Sequence, residues 1–146
     1  MKLKSKIYYD YDDVLTMCHN LAHDISKFKP DMIVGITRGG LLPALHLSHA
    51  LDRPMETVMW QTRETVKQEH SEYIQQAIDS LKRVVFVDDI NDTGRTFNEI
   101  SKAYHGERPN VRFTSLVKKV GTTYPDGKAA LTISDKRWIV FPWEKD

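Results

Sequence analysis

Four stretches of the chain run apolar with little alternation, and segments of helical periodicity separate them. From Asp10 to Phe28, the residues Val14, Cys18, Leu21, Ile25 and Phe28 recur at helical spacing, with Asp10 placed to cap the start and Pro30 just past the end. "MIVGIT" (Met32 to Thr37) predicts a strand, Arg38-Gly39-Gly40 a turn, and "LLPALHLSHAL" a helix reaching Leu51. The unit then repeats. "ETVMW" (Glu56 to Trp60) predicts a second strand, and Ile74, Ala77, Ile78 and Leu81 predict a helix leading into the strand Val84 to Val87. A further helix is expected from Thr93 to about Tyr104, with Phe97, Ile100 and Tyr104 on one face, before the strand "VRFTSLV" (Val111 to Val117). Apolar strands alternating with helices imply an α/β fold whose mostly parallel sheet is covered on both faces.

Two segments lack a clear period. "QTRETVKQEHS" (Gln61 to Ser71) is polar and without glycine or proline; it reads either as a mobile lid or as the solvated approach to the next helix. "GTTYPDGK" (Gly121 to Lys128) reads as an irregular loop or a hairpin.

The chain's 146 residues fit one domain, residues 1–146, and its 40% hydrophobic and 28% charged content is globular rather than disordered. With Lys+Arg 21 against Asp+Glu 20, no bulk field draws the chain to nucleic acid or to a membrane surface, so any anion site is local. The single cysteine, Cys18, excludes an internal disulfide and a cysteine zinc cage, and no apolar run is of membrane length. A cytoplasmic location is expected, with no membrane partner and nucleic acid disfavoured.

The chemistry concentrates in "VVFVDDINDTGRT" (Val84 to Thr96). An apolar strand runs into Asp88 and Asp89, and a third acid, Asp92, opens the turn Thr93-Gly94-Arg95-Thr96 where a helix begins. Free amides at a helix start, a glycine that permits close approach and two threonine hydroxyls make an anion cradle. It is neither a Walker loop nor a GxGxxG dinucleotide turn. Paired carboxylates beside a phosphate site suit Mg²⁺ or sugar hydroxyls.

This segment closely resembles the signature of the type I phosphoribosyltransferases, which binds 5-phosphoribosyl 1-pyrophosphate. The resemblance implies a central sheet of about five strands with a small hood from the chain ends. It implies that Asp88 and Asp89 meet the ribose hydroxyls directly or through Mg²⁺, with Asp89 as the metal ligand, while Asp92, Thr93, Gly94, Arg95 and Thr96 wrap the 5′-phosphate. "GITRGGLLPA" (Gly35 to Ala44) resembles the family's pyrophosphate loop, with Arg38 as charge and Gly39-Gly40 as freed backbone.

Three further matches point to a 6-oxopurine: Asp92 near purine N7 as a catalytic group with Arg38, Lys118 at the 6-oxygen, and Trp138 in "RWIVFPWE", which would stack on the base beside Ile139. The expected reaction transfers phosphoribose to N9 of guanine, xanthine or hypoxanthine. Where relatives carry a Ser-Tyr pair opening the lid, this chain has Thr62-Arg63, so either Arg63 or Lys67 would meet pyrophosphate instead or the loop is impaired. Relatives imply a homodimer or homotetramer. The alternatives are a regulatory or sensor protein on the same fold, reaching RNA through Lys118, Lys119, Lys128, Lys136 and Arg137, or a transferase for another base.

Overall fold

The computed structural model describes residues 5–61 and 68–145. Thr62, Arg63 and Lys67 lie outside the described residues. The described chain opens with β1 (Lys6–Tyr8) and enters α1 (Tyr11–Ser26) through a reciprocal cap. The amide of Asp13 donates to Asp10 Oδ1 at 2.8 Å and that of Asp10 to Asp13 Oδ2 at 2.9 Å, which satisfies two otherwise orphaned donors. Val14, Met17, Cys18, Leu21, Ala22 and Ile25 form the buried stripe. Phe28 falls beyond the helix, half-buried, with the Arg112 guanidinium 4.5 Å from its ring centre.

β2 (Met32–Thr37) and α2 (Leu41–Leu51) match their predicted bounds; Pro43 sits in the first turn of α2, where its missing N–H leaves no bond unmade. β3 (Met55–Met59) and α3 (Glu72–Asp79) follow, the latter capped by Ser71 Oγ, which accepts from the amide of Ile74 at 3.2 Å. Leu81 departs from expectation: it lies past the helix at φ 65°, 74% exposed, while Ile74, Ala77 and Ile78 are buried as predicted.

β4 (Val84–Asn91) runs four residues further than the apolar pattern suggested, so Asp88 and Asp89 lie on the strand itself. The ladder to β5 (Val111–Lys119) continues through them, pairing Asp88 with Ser115 and Asn91 with Lys118. α4 (Arg95–Ala103) begins directly after Gly94. The loop from Gly121 to Gly127 is not a hairpin. It returns the chain so that β6 (Lys128–Ile133) pairs parallel with β5, Thr114 beside Lys128. As an edge strand with no fully buried residue, β6 carries little hydrophobic signal in the sequence.

The large sheet has the order β3-β2-β4-β5-β6, and every neighbouring pair is parallel. One face carries α1 and α2 over Ile33, Val85, Val87, Leu116 and Val117. The other carries α3 and α4 over Val34, Val58 and an aromatic group in which Phe86 stacks on Phe113 at 5.0 Å and Phe113 meets Phe97 at 5.1 Å. β1 pairs parallel with β7 (Trp138–Val140), Ile7 beside Ile139, and this two-stranded unit is the hood expected from the chain ends.

Candidate active site

A parallel sheet presents all its carboxyl ends at one edge, and loops leaving that edge form the usual ligand crevice. Here the turn 38–40 follows β2, the turn 92–94 follows β4, Lys118 and Lys119 end β5, and segment 134–137 follows β6. A cavity of about 410 Å³ opens at this edge, lined among others by Asp89, Asp92, Lys119, Trp138, Ile139 and Glu144.

The two glycines after Arg38 are set by close approach to β4. A methyl group on Gly39 would run into the Asp89 carboxylate, and one on Gly40 would overlap the carbonyl oxygens of Val87 and Ile36. Gly40 is further held by its own amide, which donates to Ile36 O at 2.8 Å, and by the Ala44 amide, which donates to Gly40 O at 2.9 Å. The peptide bond between Thr37 and Arg38 is cis. Arg38 projects outward, and among the described residues its guanidinium has no ion-pair or hydrogen-bond partner.

Asp88 and Asp89 are half-buried neighbours, and the amide of Asp89 donates to Asp88 Oδ1 at 2.8 Å. Burial first, and the adjacent Asp89 charge second, push the Asp88 carboxyl well above the usual carboxylate range. Burial also raises Asp89; the Asp88 hydrogen bond offsets part of this, and the negative charge of Glu144 adds to it. Two adjacent acids that resist ionisation, with no ion-pair partner among the described residues, form a site that favours an incoming positive charge or hydroxyl donors.

The turn at the start of α4 depends on Gly94, whose φ of +89° suits only glycine and whose missing side chain admits the Thr123 Oγ1 and the Tyr124 amide, each 2.6 Å from where a Cβ would lie. Loop 121–127 supports this turn from outside. The amide of Thr123 donates to Thr93 O at 2.8 Å and its hydroxyl to the same oxygen at 2.7 Å, while Asn98 Nδ2 donates to Thr123 Oγ1 at 2.9 Å. Among the described residues the amides of Gly94, Thr96 and Phe97 have no partner, leaving the anion cradle open.

Arg95 does not reach over the turn. Its Nε pairs with Glu99 Oε2 at 2.7 Å, one helical turn on. The other Glu99 oxygen accepts from Trp60 Nε1 at 3.3 Å and from Gln68 Nε2 at 2.7 Å, so this carboxylate joins α4 to both flanks of segment 61–67.

The residues expected at the base divide. Trp138 is 55% exposed at the cavity wall and Ile139 is buried behind it. Lys118 stands elsewhere: its ammonium donates to Pro125 O at 2.9 Å and Gly127 O at 3.1 Å, on the side where Asn91 Nδ2 donates to Tyr124 O at 3.0 Å. Its neighbour Lys119 lines the cavity instead, because successive side chains on a strand leave opposite faces. Lys119, Asp135 and Glu144 are cavity residues that motif reasoning passed over. The doubled lysine closing an apolar strand was the available signal, since one member had to face the ligand edge.

The basic cluster 118–137 is internally engaged as well. Asp135 accepts from the Arg137 side chain at 2.7 Å and is held down to about 2 by that hydrogen bond, and Lys119 donates to backbone carbonyls, so three of its five cations are already committed with Lys118.

Comparison with known proteins agrees with this architecture. Residues 6–145 match the model of the phosphoribosyl transferase domain, and the chain belongs to that family. It is 30% identical over 122 residues to a xanthine-guanine phosphoribosyltransferase of Cereibacter sphaeroides, covering 77% of this chain and 68% of that one. Among solved structures it is similar to a purine phosphoribosyltransferase from Pyrococcus horikoshii, with 30% identity, a TM-score of 0.76, and coverage of 97% of this chain and 95% of the other. A Neisseria gonorrhoeae protein solved with bound ppGpp superposes with a TM-score of 0.72 at 26% identity, over 99% of this chain and 92% of that one.

Proposed function

We propose that the protein is a purine-salvage phosphoribosyltransferase that moves phosphoribose from 5-phosphoribosyl 1-pyrophosphate to N9 of a 6-oxopurine and releases pyrophosphate. The observation that carries this reading is one cavity lined by Asp89 of β4, Asp92 of the turn after it and Trp138 of the hood, with Gly39 of the turn after β2 so near that a Cβ there would overlap the Asp89 carboxylate. Relatives named as xanthine-guanine and purine transferases support the base class.

In this reading the open amides of Gly94 and Thr96 take the 5′-phosphate and the hydroxyls of Thr93 and Thr96 add donors. Asp88 and Asp89 accept hydrogen bonds from the ribose hydroxyls, and Arg38, exposed and without a partner among the described residues, pairs with the departing pyrophosphate. Trp138 supplies an aromatic plate for the base, Ile139 backs it, and Asp92 holds or moves the proton at N7. Lys118, held on the Pro125 and Gly127 carbonyls outside the cavity lining, would have to leave those bonds to reach the 6-oxygen.

Mg²⁺ fits the chemistry of the donor set, the two adjacent carboxylates of Asp88 and Asp89 on β4. That ion is commonly held by one or two carboxylates with substrate phosphates and water completing its shell. Bound at Asp89, it would neutralise charge developing on the leaving group.

We further infer one catalytic domain across residues 1–146, acting in the cytoplasm as a homodimer or homotetramer; the exposed Tyr11, Leu15, Leu41 and Leu45 of α1 and α2 support self-association. The second reading, a sensor on the same fold, draws support from the ppGpp-bound Neisseria relative. Its RNA-binding form is weakened because Lys118, Lys119 and Arg137 are spent on internal contacts.

The test is direct: nucleotide formation from the phosphoribosyl donor and guanine, xanthine, hypoxanthine and adenine, with and without Mg²⁺. Turnover of an oxopurine but not adenine, dependent on the metal, is expected. A folded protein that turns over none of them would remove the enzymatic reading and leave the sensor, checked by thermal shift with ppGpp.

A further inference from the structure

Segment Ser134–Arg137 joins the edge strand β6 to the hood strand that begins at Trp138, and it forms one wall of the cavity. It has little hydrophobic reason to hold one shape. Its order comes from two charged groups. Asp135 closes the segment on itself: Oδ1 accepts from the Arg137 amide at 2.8 Å and from its Nε at 3.0 Å, and Oδ2 accepts from Nη2 at 2.7 Å. Lys119, at the end of the central strand β5, fastens that closed unit to the large sheet, its ammonium donating to Asp135 O at 2.6 Å and Arg137 O at 2.8 Å. The second of these oxygens belongs to the residue immediately before Trp138.

We propose that Lys119 is a positioning residue for the purine base: by bridging the carbonyls on either side of Lys136 to the end of β5, it fixes where Trp138 stands over the cavity. The proposal rests on the transferase reading above and deepens it. The half-buried Lys119 lines the cavity together with Asp89, Asp92, Asp135, Arg137 and Glu144, and among the described residues its ammonium forms no ion pair. The phosphate cradle is held by a different set of bonds, from Thr123 and Asn98, which Lys119 does not touch. Base positioning and donor positioning are therefore mechanically separable.

Lys119→Met keeps the apolar stem and deletes both charge-assisted bonds; Lys119→Arg keeps the charge and the donors. KM for the oxopurine is expected to rise on the order of tenfold in Lys119→Met, the size of one such bond, with KM for the phosphoribosyl donor within about twofold and the arginine variant restored most of the way. Amide exchange across residues 134–138 should quicken in the methionine variant and stay native in the arginine one. Equal losses in both KM values, or no loss in either, would overturn the proposal. If the wild-type protein turns over no base, the transferase reading fails by itself; unchanged exchange at 134–138 then overturns the tether, and faster exchange sustains it. Should the methionine variant lose its native fold, Lys119→Gln, which retains a single amide donor group, is read by the same measurements.

Discussion

Gly39 and Gly40 offer two identical one-carbon insertions, one bond apart, with opposite expected consequences. At Gly40 the backbone lies at φ −83°, a conformation alanine accepts, so conformational strain is not the issue. The obstacle is space. A Cβ there would overlap the Val87 carbonyl and lie 2.8 Å from the Ile36 carbonyl, both of them backbone of central strands that cannot swing aside. Relief requires the turn to move away from the sheet, stretching the 2.8 Å bond from the Gly40 amide to Ile36 O. Overpacking of this kind costs about 1–3 kcal/mol, and the entropy that alanine removes from the unfolded chain returns roughly 0.5 kcal/mol. A loss near the upper end, about 2.5 kcal/mol, lowers the melting temperature by roughly 7 °C for a chain this long.

At Gly39 the obstructing atoms are the Asp89 carboxylate, the free end of a side chain. Asp89 can rotate, so Gly39→Ala should keep a melting temperature within about 2 °C of wild type, since surface and half-exposed changes away from the core stay near 0.5 kcal/mol. Under the proposed function, what it loses is the position of Asp89 toward the ribose hydroxyls and Mg²⁺. Displacing one charge-assisted contact, worth about 1.5–3 kcal/mol, lowers kcat/KM on the order of 10–150-fold. Differential scanning fluorimetry and steady-state kinetics on the two variants decide the matter. A Gly39→Ala enzyme of native activity, or a Gly40→Ala protein as stable as the parent, would refute the close approach of the two loops as described.

Three further outcomes follow from particular groups. Asp88 has its folded carboxyl raised above 3.8 by burial and by Asp89, so the folded state holds the proton more tightly than the unfolded one. Stability of the free protein therefore falls as pH climbs through the window beginning near 3.8, and Asp88→Asn should flatten that decline in a pH series of thermal melts. Cys18 is buried in α1 with its thiol pushed up to about 11, so a chromogenic disulfide reagent at pH 8 should leave it unreacted until denaturant is added. Trp138→Ala removes a half-exposed ring, so the melting point should hold while KM for the base rises about tenfold; a fall in stability with unchanged KM would mark the ring as structural.

The sequence exposed the parts of this fold that bury apolar surface with a clear period. α1, β2 and α2 fall where hydrophobic spacing and the Asp10 cap put them, because in each the local preference and the tertiary demand agree. β4 was read short because a strand was equated with its apolar run. β4 keeps its ladder to β5 past Asp88 and Asp89 while the Asp89 side chain lines the cavity, so pairing continues where hydrophobicity stops. β6 and the hood strands carry no periodic signal of their own for a related reason, the hood being implied only by the family resemblance: short edge strands bury little, and the partners of the hood strands lie far away in sequence.

At the site, motif spacing singled out Asp89 and Asp92, which line the cavity, but gave no sign that Arg95 turns away to Glu99. It could not decide between Lys118 and Lys119. Which of two adjacent lysines faces the cavity depends on where the twist of β5 has turned by its last residues and on which carbonyls loops 121–127 and 134–137 present there. That information lies in chain segments up to 18 residues away from Lys119, and no local pattern encodes it. The same reasoning separates the acids from the aromatic plate. Asp89 and Asp92 reach the cavity because one strand and its turn carry them, whereas Trp138 reaches it only through a hood strand paired with the far end of the chain and a segment fastened to β5 by one ammonium group. In the proposed transferase, donor binding would rest on the strongest local element of the sequence and base binding on the assembly of distant ones. Substitutions that loosen the hood should accordingly alter which base is used before they alter use of the phosphoribosyl donor.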